Sequence, residues 1–257
     1  MFKKFLFSFF VATFAASTVA MADPVNLISA SRYVTVTASA SGSGTTETNM
    51  DSTTATAFDP FHGMVSQTAM KPDPAAGINF AMGSASQNSS ISTNSFSISQ
   101  NIFFTAGQAI AMSPGSAANA DSISFFQVSM SVTQLTALNI FVDRNILHGG
   151  EGYSDEFSLS SIDHGIQNLS PGTLSGSVSF EITLFPQDTY TLTAFEEAGS
   201  NFPDSFGQEG GSTTTLTASF MAVPETPTFW PVTILFIVGM VTAFLKRSAS
   251  DKLTVMF

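Results

Sequence analysis

"RYVTVTASA", residues Arg32 to Ala40, alternates polar and apolar side chains without a break. A period of two belongs to a β-strand, because successive side chains on a pleated backbone point to opposite faces. Tyr33, Thr35, Thr37 and Ser39 therefore share one face, and Val34, Val36, Ala38 and Ala40 share the other. One face is fit for burial and one for water, the pattern of an antiparallel sheet covered on a single side.

The same period recurs along the chain. "SISFFQVSMSVTQ", Ser122 to Gln134, carries Ile123, Phe125, Val128, Met130 and Val132, with a one-residue slip of phase near Phe126. Such a slip predicts a β-bulge. "TALNIFVDR", Thr136 to Arg144, follows at once and reads as its antiparallel neighbour. Further strands are expected in "EFSLSSI" (Glu156 to Ile162), "SGSVSFEITLF" (Val178, Phe180, Ile182 and Leu184 on one face), "DTYTLTAF" (Tyr190, Leu192 and Ala194 on one face) and "STTTLTASFMAV" (Ser212 to Val223). The Ser/Asn-rich stretch from Ser84 to Thr105 reads either as a disordered loop or as strand with one weak face, and strand is preferred because Phe96, Ile98, Ile102 and Phe103 need burial. Clusters such as "SGSG", "KPDPAAG", "SPGSAANA", "HGGEG" and "GSNFPDSFGQEGG" punctuate the runs as turns. Short strands with regular turn signals and no helical period make residues 23–222 one all-β, antiparallel sandwich, of jelly-roll type.

The two ends have a different texture. "MFKKFLFSFFVATFAASTVAMA" has a basic start, an apolar run and a small-x-small close at Ala20 and Ala22. This is the layout of a secretory signal peptide, residues 1–22, with Asp23 as the first mature residue. At the other end Phe229 to Leu245 is seventeen residues without a charge, near the lower limit for spanning a bilayer. Lys246 and Arg247 follow, and basic residues beside a membrane helix stay on the cytoplasmic side. The expected order is signal peptide, exported domain, a Pro-rich lead-in (223–228), a membrane helix (229–245) and a short cytoplasmic tail (246–257).

Between Asp23 and Ala222 there are seventeen acidic side chains and three basic ones, Arg32, Lys71 and Arg144. Nucleic-acid binding needs a basic footprint, so it is excluded as a reading, and docking to an anionic membrane surface is disfavoured for the same reason. The chain has no cysteine, which removes disulfides and thiolate metal sites and leaves stability to packing and hydrogen bonds.

The lead-in Val223-Pro224-Glu225-Thr226-Pro227 resembles the Val-Pro-Glu-Pro motif of PEP-CTERM proteins, with Thr226 standing between the glutamate and the second proline. The following apolar run and the Lys246-Arg247 pair stand where that family has its membrane helix and basic cluster. "LFPQDTYTLTA", Leu184 to Ala194, is similar to a segment frequent in the ectodomains of the same family. There the mechanical reading is a turn at Gln187-Asp188 feeding a strand whose Tyr190 packs on the sheet edge. The resemblance implies sorting by an exosortase-type transpeptidase in a Gram-negative-type bacterium. It also implies a structural or adhesive role at the cell surface, in contact with exopolysaccharide. Pro224 and Pro227 keep the motif extended, as an enzyme binding it as a strand would need.

No nucleophile elbow, zinc-protease helix, Walker loop or dinucleotide fingerprint occurs, so the expectation is a protein without an active site of its own. The densest polar stretch is "DRNILHGGEGYSDEFSLSSIDHG", Asp143 to Gly165, with Asp143, His148, Glu151, Asp155, Glu156, Asp163 and His164. Three readings compete there. It can be a solvated loop, a calcium loop built on its carboxylates, or a paired-carboxylate site for sugar chemistry at Asp155 and Glu156. Tyr153 is the one aromatic in this stretch placed to stack on a glycan, the mark of a carbohydrate-binding module. Glu196, Glu197, Asp204 and Glu209 read as a second solvated loop.

Overall fold

In the computed structural model the chain divides into two units at the Ala222–Val223 junction. The structure describes residues 23–42, 44–73, 77–108, 117–148, 152–171, 175–200 and 208–223. The signal-peptide residues Ala20 and Ala22 lie outside the described residues, as do Glu151, Pro224 to Pro227, the apolar run and Lys246 and Arg247.

Within the first unit the described residues form twelve strands: β1 (Val25–Gly42), β2 (Thr45–Ala55), β3 (Phe61–Asp73), β4 (Gly77–Ile91), β5 (Ser95–Gln108), β6 (Ala117–Val132), β7 (Thr136–His148), β8 (Tyr153–Ser161), β9 (Gly165–Asn168), β10 (Gly176–Leu184), β11 (Thr189–Gly199) and β12 (Gln208–Ala222). They make two six-stranded antiparallel sheets, ordered β2-β1-β6-β11-β8-β9 and β10-β7-β12-β5-β4-β3. The sheets form a sandwich. The last eight strands pair in nested order, β5 with β12, β6 with β11, β7 with β10 and β8 with β9.

Alternation explains the packing. On β1 the inward row is Ala30, Arg32, Val34, Val36, Ala38 and Ala40, as the period of two predicts for the apolar positions. A large-residue cluster fills one end of the sandwich with Phe96, Ile98, Phe126, Leu138, Phe157 and Leu192 among its members. A small-residue cluster fills the other end, built on Val34, Val36, Ala38, Ala69, Ala81 and Ala85. Glycines let the sheets close at this second end. A Cβ on Gly83 would lie 2.6 Å from a methyl of Val36 and 2.8 Å from the Ser122 hydroxyl.

Three local expectations are corrected. β6 has no bulge at Phe126, and its even-numbered residues point inward along its whole length. Ser122 and Ser124 are buried, while Ile123 and Phe125 face outward, where Phe125 stacks on Tyr33 at 4.9 Å. β7 is not the neighbour of β6, because the chain crosses to the second sheet between them. Tyr190 lies on β11, which runs between β6 and β8 inside its sheet rather than at an edge, and its ring is buried. The turn before it does form, with Gln187 at a φ of 75°, and the Phe185 N–H donates to the Tyr190 hydroxyl at 2.8 Å.

Gly83→Val is expected to destabilise the fold by about 1–3 kcal/mol through overpacking between the sheets. Gly176→Ala, on the edge strand β10 with no atom within 4 Å of the new Cβ, is expected to stay within about 0.5 kcal/mol of wild type. Urea unfolding of both variants checks the contrast.

Candidate functional site

The acidic stretch from Asp143 to Gly165 is not one loop. It contains the end of β7 and all of β8, and alternation sends its side chains in opposite directions. Asp143 faces outward on β7 and accepts a 2.5 Å hydrogen bond from Ser177 Oγ. Arg144, the next residue, is buried and pairs with Asp155 Oδ2 at 2.5 Å. Ser170 Oγ also donates to that carboxylate at 2.8 Å. Glu156 is exposed and accepts from Ser158 Oγ at 2.9 Å. Asp163 is exposed in the turn before β9. Beside it, His164 Nδ1 lies 3.1 Å from Asp188 Oδ2 and the His164 ring stacks on Phe185.

This geometry disperses the sites expected of the stretch. Among the described residues no three His, Asp or Glu side chains are grouped as metal ligands. Of the carboxylates put forward for calcium, Asp143, Glu156 and Asp163 are exposed on β7, on β8 and in the turn before β9, Asp155 points inward to Arg144, and Glu151 lies outside the described residues. Asp155 and Glu156 are successive strand residues, so their side chains leave opposite faces of the sheet and do not flank a common substrate bond. Tyr153 is not a free stacking platform either. Its ring lies 5.8 Å from the Arg144 guanidinium, and its hydroxyl donates to Glu196 Oε1 at 3.0 Å. Burial pushes the Tyr153 phenol upward.

These contacts belong to a buried polar layer between the two apolar clusters. Across the second sheet Gln87 (β4), Gln100 (β5), Thr214 (β12) and Arg144 (β7) stand directly opposite one another in register. Across the first sheet Ser124 (β6), Glu196 (β11) and Asp155 (β8) do the same. The rows bond across the interior. Gln87 Nε2 donates to the Phe125 carbonyl at 3.1 Å and Gln100 Nε2 to the Ala194 carbonyl at 3.4 Å. Thr214 Oγ1 donates to Glu196 Oε1, and Arg144 pairs with Asp155. One step along β6, Ser122 Oγ donates to the Phe103 carbonyl at 2.8 Å.

Glu196 is the fully buried carboxylate of the layer. Two hydroxyl groups share its Oε1, and its Oε2 has no hydrogen-bond partner, as is also true of Gln87 Oε1, Gln100 Oε1 and Ser124 Oγ. Burial pushes its carboxyl up to about 7, against the hydrogen bonds from Thr214 and Tyr153 that favour the charged form. The expectation of a solvated loop at Glu196 and Glu197 is therefore corrected. Both lie on β11, Glu196 inward and Glu197 outward, and Glu209 lies on β12. Asp204 falls outside the described residues. The signal was present in the alternation Tyr190, Leu192, Ala194, Glu196, Ala198, which continues unbroken through the glutamate.

The surface feature that the sequence did not reveal lies on the outer face of the second sheet. Glu181 (β10), Asn139 (β7), Ser219 (β12) and Ser95 (β5) form one row across four strands. Ser179, Phe141, Thr217 and Ser97 form the next. Side chains on β5 and β12 are small here, and the rows line an open depression of about 630 Å³. The Phe141 ring stands in it, 42% exposed. None of the three basic residues reaches this face, for Arg32 and Arg144 are buried inward and Lys71 lies at the far end of the edge strand β3. The hydroxyls read as surface filler in sequence. Their one signal is the outward ladder Thr213, Thr215, Thr217, Ser219 in "TTTLTAS".

No protein-family model matches the chain, and no curated protein matches it either.

The raised carboxyl of Glu196 gives a signed pH dependence. Between its ordinary value of 4.5 and about 7 the folded state holds a proton that the unfolded chain has lost, so this group lowers stability as pH rises through that window. Glu196→Gln is expected to remove this slope and to be more stable than wild type at pH 8 by ~1–3 kcal/mol, with little gain at pH 5. Urea unfolding at the two pH values measures the difference.

Proposed function

We propose that the chain is an exported cell-surface or matrix protein that carries a PEP-CTERM-like sorting signal and makes a structural or adhesive contact with exopolysaccharide. The observation that carries the contact is the depression on the outer face of the second sheet, where serine and threonine hydroxyls are set around the Phe141 ring and to which none of the domain's three basic side chains points. The nested pairing of β5 to β12 supports the jelly-roll reading of the scaffold. The order of the chain's parts supports export: a signal peptide ending at Ala22, the sandwich, the motif Val223 to Pro227, the apolar run and Lys246-Arg247. In this reading Phe229 to Leu245 holds the chain in the inner membrane until an exosortase-type transpeptidase acts on the motif. The protein itself is not an enzyme, and the chemistry at its tail belongs to the processing partner.

A second reading, a carbohydrate-binding module with a defined sugar ligand, is favoured by one observation, the exposed Phe141 ring within the depression. A glycan-active enzyme built on Asp155 and Glu156 is the weakest reading, because the two side chains leave opposite faces of β8.

Protein taken from its native host is expected to begin at Asp23, to end between Val223 and Pro227, and to fractionate with the extracellular polysaccharide. Intact mass and terminal peptides read both ends. A chain retained in the cytoplasm with Met1 and Phe257 in place would sink the proposal.

A further inference from the structure

We infer that the depression on the outer face of the second sheet takes an uncharged polysaccharide chain laid across β5, β12, β7 and β10, and rejects polyanionic ones. The inference rests on the glycan contact proposed above and gives that contact a substrate class. Neighbouring strands lie ~4.8 Å apart, so four of them span about 14 Å, room for a short run of sugar rings. The lining chemistry suits such a chain. Ser97, Thr217 and Ser219 present hydroxyls and Asn139 an amide, and each of these groups both donates and accepts hydrogen bonds, as sugar hydroxyls do. Phe141 supplies an apolar plate in their midst for the C–H face of a ring. A lone exposed phenylalanine is ordinary on a protein surface. This one stands inside a concavity whose wall is mostly apolar surface, with the hydroxyls of Ser95, Ser97, Thr217 and Ser219 and the Asn139 amide set into it, the mixture of apolar wall and few oriented polar groups that ligand sites share.

Charge decides between neutral and acidic glycans. Glu181 lines the depression and Asp143 lies one row away, opposite Ser177 and Thr215. Among the described residues no lysine or arginine reaches this face to offset them, since the basic residues of the domain are Arg32, Lys71 and Arg144 and two of these are buried. A uronate or sulfated chain would bring like charge against these carboxylates with no counter-charge in reach, and the acidic domain as a whole repels it at longer range.

The test uses the full-length chain in detergent, run in native gels that contain dextran, laminarin or galactomannan as neutral polymers, or alginate or polygalacturonate as acidic ones. Physiological salt and EDTA are present, so that calcium cannot bridge carboxylates. Retardation by at least one neutral polymer and by neither acidic one is expected. Phe141→Ala should weaken that binding about tenfold or more, and Thr217→Asp should weaken it as well. Ile166→Ala, at an exposed site on β9 of the other sheet, should leave it unchanged. Binding to the acidic polymers as tight as to the neutral ones overturns the inference but leaves the glycan contact standing. Neutral binding that is indifferent to both Phe141→Ala and Thr217→Asp shows that the depression is not the site. Retardation by none of the five polymers overturns the glycan contact itself.

Discussion

The two sheets are keyed to each other by the polar contacts that cross the interior, from Gln87, Gln100, Thr214 and Arg144 on one side to the Phe125 and Ala194 carbonyls, Glu196 and Asp155 on the other. Apolar packing tolerates sliding, because one aliphatic contact is much like another. Hydrogen bonds across the interior do not. A strand that slips by one residue turns its whole inward row to solvent. It would also leave buried amide and hydroxyl groups without partners, at about 1–3 kcal/mol each. The layer therefore contributes less as net stability than as a constraint on register. Burying the Arg144–Asp155 pair is itself costly in desolvation, while removing one partner would strand the other charge.

Once register is fixed, the outer faces are fixed with it. The inward positions of β12 hold Thr214, Leu216, Ala218 and Phe220, so Thr213, Thr215, Thr217 and Ser219 have to face out. The same phase on β7 buries Leu138, Ile140, Val142 and Arg144 and turns out Asn139, Phe141 and Asp143. The depression around the Phe141 ring is thus the complement of the interior layer, position by position.

Strand identity was legible wherever one face was apolar and the other polar, as on β1, β10 and β11. It was not legible on β2, "TTETNMDSTTA", an edge strand whose residues are exposed or only half-buried and which therefore has no apolar face to announce it. On β6, equating apolar with inside gave the wrong phase at Ile123 and Phe125, because Ser122 reaches a backbone carbonyl across the interior and so is satisfied when buried. Arg144 was invisible as an interior residue for a related reason, and Glu196 was legible only through the unbroken alternation of β11, since charge in sequence suggests water until a partner in the opposite sheet is known. The candidate surface was hidden because serine and threonine carry no motif. It emerges only when four strands that are distant in sequence are set side by side.

In the proposed glycan contact the outward rows of β5, β12, β7 and β10 meet the ligand, while the inward rows hold the two sheets in register. Backbone amide NMR shifts followed during titration of the isotope-labelled protein with a soluble neutral glucan test that division most directly. Shift changes concentrated at Ser95 to Ser99, Asn139 to Asp143, Ser177 to Glu181 and Thr215 to Ser219 are the predicted result. Changes centred on β1, β6 or β11 of the first sheet, with these segments silent, would contradict it.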